Sequence, residues 1–280
     1  MNVSIYRTET SREALAGFMD EVLTQIPYPY QIRFVDTRMG KTHVMTVGAD
    51  DKPPLVMLHG AASNLLAFGG DAPKYAGDYR VILPDIPGEA GKSAPVRLSW
   101  HNEDYLDWLD DMLDALQIKE TAIVGMSFGG WIALKYAAHR DRVQKLVLTA
   151  PGGIVPARSS ALVRSVVYSM QGQKGAEKMK RMVLGKGAIP EVVSRFFDAV
   201  QAHYVPRFGS PPLLNDQEIK AVRAPLMVVC AEKDVFFPAA QAQKRISRLQ
   251  PGAEMVILPR AQHGMMEMDR RVGIFLRGES

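Results

Sequence analysis

Thr121-Ala122-Ile123-Val124-Gly125-Met126-Ser127-Phe128-Gly129-Gly130 begins as a short apolar run and turns through glycines. It continues into Trp131-Ile132-Ala133-Leu134-Lys135-Tyr136-Ala137-Ala138, a good helix former. A serine on so sharp a strand-to-helix turn must adopt strained backbone angles, and glycines two residues to either side remove the side chains that would collide. Its hydroxyl is then held clear of the sheet. The same turn sets the Phe128 N–H at a helix N-terminus, where it can stabilise a developing negative charge. A bare G-x-S-x-G is a weak signal, and the strand-turn-helix context makes it informative.

Serine is a poor nucleophile at neutral pH and needs a base, itself oriented by a carboxylate. Downstream, Asp234 follows the apolar run Leu226 to Cys230, and His263 follows the run Met255 to Leu258 in Pro259-Arg260-Ala261-Gln262-His263-Gly264. Both are expected in loops at strand ends, where binding groups gather in open α/β sheets. Glu232 comes two residues too early, and Thr149-Ala150-Pro151 offers no carboxylate at its strand end. His101, His139, His43 and His203 fall in helices, the early hairpin or the helical segment, where solvated or packing roles are the default. Upstream, Val56-Met57-Leu58-His59-Gly60-Ala61-Ala62 runs from a strand into a glycine turn. The Ala61 N–H is the candidate second oxyanion donor, with His59 as a scaffold of that turn and Asp85 as a brace of the loop after the next strand.

From residue 55 short apolar runs recur with helical stretches between them: Leu55 to Leu58, Val81 to Leu83, Ala122 to Val124, Leu146 to Leu148, Leu226 to Cys230 and Met255 to Leu258. Continuous rather than alternating apolar runs suit strands buried on both faces, so the pattern predicts an α/β fold with a parallel sheet wrapped by helices. Ahead of it, Thr10 or Ser11 caps an amphipathic helix over about 10–25, and Gln31 to Thr37 and His43 to Val47 form a hairpin. Ser99 is expected to cap a helix with Tyr105, Leu109, Met112, Leu113 and Leu116 inward and Asp107, Asp110, Asp111 and Asp114 outward. The rhythm breaks between about Gly152 and Leu214, where helical stretches occur without a buried-strand run. The domain expectation is therefore a core of 1–151 and 215–280 with a helical cap of 152–214.

The 280 residues, 47% of them hydrophobic, fit one large α/β domain with an insertion. The net charge of +4 is spread among nearly as many acids as bases, which argues against a nucleic-acid partner. Cys230, the single cysteine, lies in a strand-like run and reads as a small buried residue. The first twenty residues lack an apolar signal region and no later run reaches membrane-spanning length, so a cytoplasmic protein without membrane association is expected. Gly88-Glu89-Ala90-Gly91-Lys92-Ser93 resembles a phosphate loop, but Ile86 occupies the position of its first glycine. No spacing of Cys, His or carboxylates reads as a metal site. Basic residues on the 152–214 segment read as a solvated surface. Met126, Met265 and Met266 are candidate pocket residues, a role that core packing explains equally well.

In order along the chain, His59-Gly60, Asp85-Ile86-Pro87-Gly88-Glu89-Ala90-Gly91-Lys92-Ser93, the Ser127 elbow, Asp234 and His263-Gly264 resemble the α/β-hydrolase superfamily over roughly 30–280. The resemblance implies an eight-stranded, mostly parallel sheet with a helical cap after the sixth strand. It also implies a Ser127-His263-Asp234 triad and oxyanion donors at Ala61 and Phe128. Within the superfamily the chain is most similar to bacterial carboxylesterases. That implies hydrolysis of a small-molecule ester without a cofactor. Arg140 stands where many relatives have proline, and His-Gly-Ala-Ala-Ser-Asn replaces the glycine run of the lipase-like group. The alternatives are a C–C bond hydrolase of ring-cleavage products, which commonly carries Trp where Met265 stands, and a ligand receptor with a vestigial triad. Ser127 excludes the usual dehalogenase and epoxide hydrolase chemistry, which needs an Asp nucleophile; perhydrolysis remains open as a side activity.

Overall fold

A computed structural model describes residues 4–264 and 270–279. The chain opens with α1 (Glu9–Thr24) and the strands β1 (Gln31–Thr37), β2 (Gly40–Val47) and β3 (Pro54–Leu58), then α2 (Ala72–Tyr75) and β4 (Arg80–Pro84). It continues through α3 (Asp104–Ala115), β5 (Thr121–Met126), α4 (Phe128–His139) and β6 (Val143–Thr149). Three helices follow, α5 (Ser159–Ser169), α6 (Gly172–Leu184) and α7 (Glu191–His203). The chain then returns through α8 (Asp216–Ala221), β7 (Leu226–Ala231), α9 (Ala239–Leu249), β8 (Glu254–Leu258) and α10 (Arg270–Arg277).

The strands form one eight-stranded sheet in the order β1-β2-β4-β3-β5-β6-β7-β8. Its first two pairings are antiparallel and the rest parallel. Both faces are covered, which is why the strands read as unbroken apolar runs. On one face Val56, Leu58 and Ile123 pack with Trp108, Leu109, Trp131 and Leu134. On the other, the alternate residues Leu55, Met57 and Val124 pack with Met19, Leu23, Phe275 and Leu276. This is the eight-stranded, mostly parallel α/β architecture expected, with the helical insertion after the sixth strand.

Differences from expectation lie at element ends. Thr8, not Thr10 or Ser11, caps α1, its side chain accepting from the Ser11 N–H. Ser99 does not cap α3: Glu103 occupies that position, and Ser99 N–H donates to Asp104 Oδ2 at 3.1 Å. The Ser99 side chain is engaged within the loop, its Oγ accepting from His101 N–H at 3.1 Å, and does not reach the helix start.

Candidate active site

Parallel strands deliver their carboxyl ends to one edge of the sheet, and four of the expected residues sit there because they follow β3, β5, β7 and β8, whose ends lie along that edge with only β6 between β5 and β7. Leu58 pairs with Gly125, and Ala231 with Leu258. Gly60, Ser127, Asp234 and His263 lie just beyond those ends.

Ser127 adopts φ 51° and ψ −108° between β5 and α4. This left-handed backbone is held from outside: Ser127 N–H donates to Thr149 O at 2.9 Å, and its carbonyl accepts from Gly152 N–H at 3.0 Å. The glycines permit the crossing. A Cβ on Gly129 would lie 2.1 Å from Leu58 O, and one on Gly125 would lie 2.5 Å from Gly129 O. Ser127 Oγ lies 3.0 Å from His263 Nε2, and His263 Nδ1–H donates to Asp234 Oδ2 at 2.9 Å. The other oxygen, Asp234 Oδ1, accepts from the N–H groups of Phe236 and Phe237 at 2.7 and 3.0 Å. Asp234 is 3% exposed, so its charge is neutralised by donors rather than by water. Because Nδ1–H is committed to that carboxylate, the Nε2 lone pair faces the serine. The rings of Phe236 and Phe237 flank the imidazole, with centroids at 4.8 and 5.7 Å.

The glycine turn after β3 lies beside the serine, since a Cβ on Gly60 would meet Ser127 Cβ at 3.5 Å. Neither the Ala61 nor the Phe128 N–H has a hydrogen-bond partner among the described residues. His59 is buried behind this turn, its Nδ1–H donating to Gly60 O at 2.8 Å and its Nε2 accepting from Ile86 N–H at 2.9 Å. Burial holds its pKa below the ordinary imidazole value. A neutral ring with both nitrogens committed is a scaffold. Asp85 is fully buried, accepting from His43 Nδ1–H at 2.7 Å and from the N–H groups of Leu65 and Lys92. Burial opposes its charge most strongly, but the His43 hydrogen bond, the nearby imidazoles and the Lys92 N–H together outweigh it and keep the carboxyl below its usual range. His43 is thus part of that brace.

The serine and histidine open onto a cavity of about 920 Å³. Its walls are largely apolar, with Phe18 and Val22 from α1, Leu66 from the core, and Met179, Phe196 and Phe197 from the insertion. Met126 also lines it, whereas Met265 and Met266 lie outside the described residues. Sequence reasoning did not single out one polar group here, Glu89. It is 6% exposed and accepts from Ala62 N–H at 2.5 Å and from Tyr204 O–H at 3.1 Å. A carboxylate between Gly88 and Gly91, in the loop following a buried strand, was the available signal.

Comparison with known proteins agrees with this fold. A carboxylesterase of Bacillus subtilis, the uncharacterized carboxylesterase nap, is 26% identical over 254 residues, 87% of this chain and 84% of its own. The crystal structure of carboxylesterase CesB (YbfK) from the same organism superposes with a TM-score of 0.87 at 24% identity, covering 97% of this chain and all of that one. The naproxen esterase of B. subtilis gives 0.85 at 25% identity, covering 94% and 95%. The model of the alpha/beta hydrolase family matches residues 55–273, and the chain belongs to that family.

Proposed function

We propose that the protein hydrolyses small-molecule carboxylic esters through an acyl-enzyme on Ser127. The observation that carries this reading is the hydrogen-bonded series Ser127 Oγ, His263 Nε2, His263 Nδ1, Asp234 Oδ2, with links of 3.0 and 2.9 Å, at the wall of an apolar cavity. His263 takes the serine proton as Oγ attacks the ester carbonyl, and the Ala61 and Phe128 N–H groups stabilise the resulting oxyanion. Collapse breaks the ester C–O bond, and the leaving alcohol takes the proton from His263. Water, deprotonated by the same histidine, then attacks the acyl-enzyme and releases the acid. Asp234 holds the imidazole in the required tautomer and stabilises its cationic form.

The carboxylesterase relatives support the ester as substrate class, and the cavity favours esters with bulky apolar groups. Residues 152–214 act as the cap that closes over them. The buried free thiol of Cys230, and the absence among the described residues of a helix long and apolar enough to cross a membrane, are in keeping with work in the cytoplasm.

Replacing Ser127 with Ala is expected to lower kcat on an aryl ester by at least about 10⁴-fold and to abolish labelling by a serine-directed phosphonate. Full activity in that variant overturns the reading.

A further inference from the structure

Between the oxyanion turn and the last helix of the cap lies a buried polar contact that the triad does not use. Ala62 sits at φ 53°, a left-handed conformation that a residue with a Cβ holds only when its surroundings enforce it. The enforcing group is Glu89, whose Oε2 accepts from the Ala62 N–H at 2.5 Å. Two further bonds tie this turn to the loop after β4, Asn64 Nδ2–H to Ala90 O at 2.9 Å and Leu65 N–H to Asp85 Oδ1 at 2.8 Å. Only the Glu89 bond acts at the residue next to Ala61, the proposed oxyanion donor.

The same Oε2 accepts from Tyr204 O–H at 3.1 Å. Tyr204 directly follows α7 and is 1% exposed, and its one hydroxyl proton is shared between Glu89 Oε2 and Gly88 O, to which it also donates at 3.0 Å. One carboxylate oxygen therefore receives a donor from the oxyanion turn and a donor from the cap. Removing the cap's donor would leave a buried carboxylate under-satisfied in a low-dielectric pocket, and its hold on Ala62 would change with it.

We propose that Glu89 and Tyr204 form a clasp through which the seated cap holds the oxyanion turn in its working shape, making Glu89 a positioning residue for the reaction at Ser127. The clasp rests on the reading of Ser127 as the nucleophile. It gives the cap a part in the chemical step beyond enclosing the substrate: a cap lifted at α7 withdraws Tyr204 and relaxes the turn that presents the Ala61 N–H.

The test compares wild type, Y204F, E89A, E89Q and E89A/Y204F, as full-length chains with melting midpoints recorded, in steady-state hydrolysis of a p-nitrophenyl ester. Loss of a positioning contact at an oxyanion hole is expected to lower kcat by about tenfold to a hundredfold in E89A, with KM changed less than about threefold. E89Q, which keeps an acceptor oxygen, recovers most of that loss. Y204F lowers kcat by about fivefold, and the double variant is no slower than E89A, because both changes break one contact. The clasp is overturned if E89A and Y204F turn over at the wild-type rate, if their effects multiply, or if E89Q is as slow as E89A. Y204F removes one oxygen and leaves Glu89 in place, so a wild-type kcat in that variant overturns the clasp even where E89A fails to fold. S127A separates the two levels: turnover equal to wild type overturns the nucleophile and the clasp together, whereas an inactive S127A beside a fully active Y204F overturns the clasp alone.

Discussion

Ser127 keeps its left-handed backbone because Thr149 O and Gly152 N–H hold the peptide groups on either side of it, and because glycine stands where a Cβ would strike Leu58 O. Both conditions are local to strand ends, so the elbow and its two partners could be read from short motifs. Glu89 could not: its meaning depends on Tyr204, 115 residues away. Burial raises the Glu89 carboxyl from 4.5 to about 7, against the lowering effect of the Ala62 N–H, Tyr204 O–H and the cations Arg97 and Arg207. Tyr105, from α3, faces the same group, and burial first, then the charge of Glu89, raises its own pKa. A carboxyl with a raised folded-state pKa binds its proton more readily folded than unfolded, so its contribution to stability is present at low pH and is lost as pH rises through the window from 4.5 to about 7. Relative to E89Q, the wild-type protein is therefore expected to lose about 3 kcal/mol of unfolding free energy between pH 4.5 and pH 8. Urea titrations of both proteins across that range measure it; parallel curves would show that Glu89 does not titrate there.

At the scale of elements, α3 carries an acidic outer face whose charges are gathered rather than simply solvated. Arg140, at the end of α4, donates to Asp110 at 2.7 Å, Glu103 at 3.0 Å and Asp107 at 3.2 Å. Arg38, in the β1–β2 turn, donates to both oxygens of Asp111, at 2.9 and 2.8 Å. Arg140 is thus a cation joining two helices, a role beyond a variation in a turn. At 24% side-chain exposure Arg140 is screened only in part, and R140A is expected to cost about 1 kcal/mol, with half or more of that effect lost at high salt. Chemical denaturation at low and high ionic strength reads both numbers; a salt-independent loss would point to packing instead. The buried strands were legible as elements because burial on both faces leaves no polar position in the run. Helix starts at Thr8 and Glu103 were less so, since several nearby hydroxyls and carboxylates compete to cap and only the folded loop decides among them.

Across the whole molecule, the cavity is assembled from segments far apart in the chain, and its least expected wall is α1. That helix precedes the part of the chain matched by the family, residues 55–273, yet its Phe18 and Val22 line the cavity, with Ile26 just beyond its end. It is fastened to α7: Phe18 packs against Phe196 with ring centroids 6.3 Å apart, and Arg195 grips both oxygens of Glu21 at 2.9 and 2.7 Å. Amphipathic spacing announced α1 as a helix but not what its apolar stripe meets, because the partner is another amphipathic helix almost 180 residues later. A wall built away from the reacting atoms can change which ester fits without touching them. Phe18→Ala opens the cavity on the side facing α7, and is expected to raise kcat/KM for a bulky ester relative to a short-chain ester by about tenfold. Phosphonate labelling of Ser127 in that variant should stay within about twofold of wild type, since no contact of the triad or the oxyanion turn is altered. An unchanged ratio between the two esters would make α1 a prop for α7 alone; a change in the ratio with labelling intact makes it part of the specificity wall.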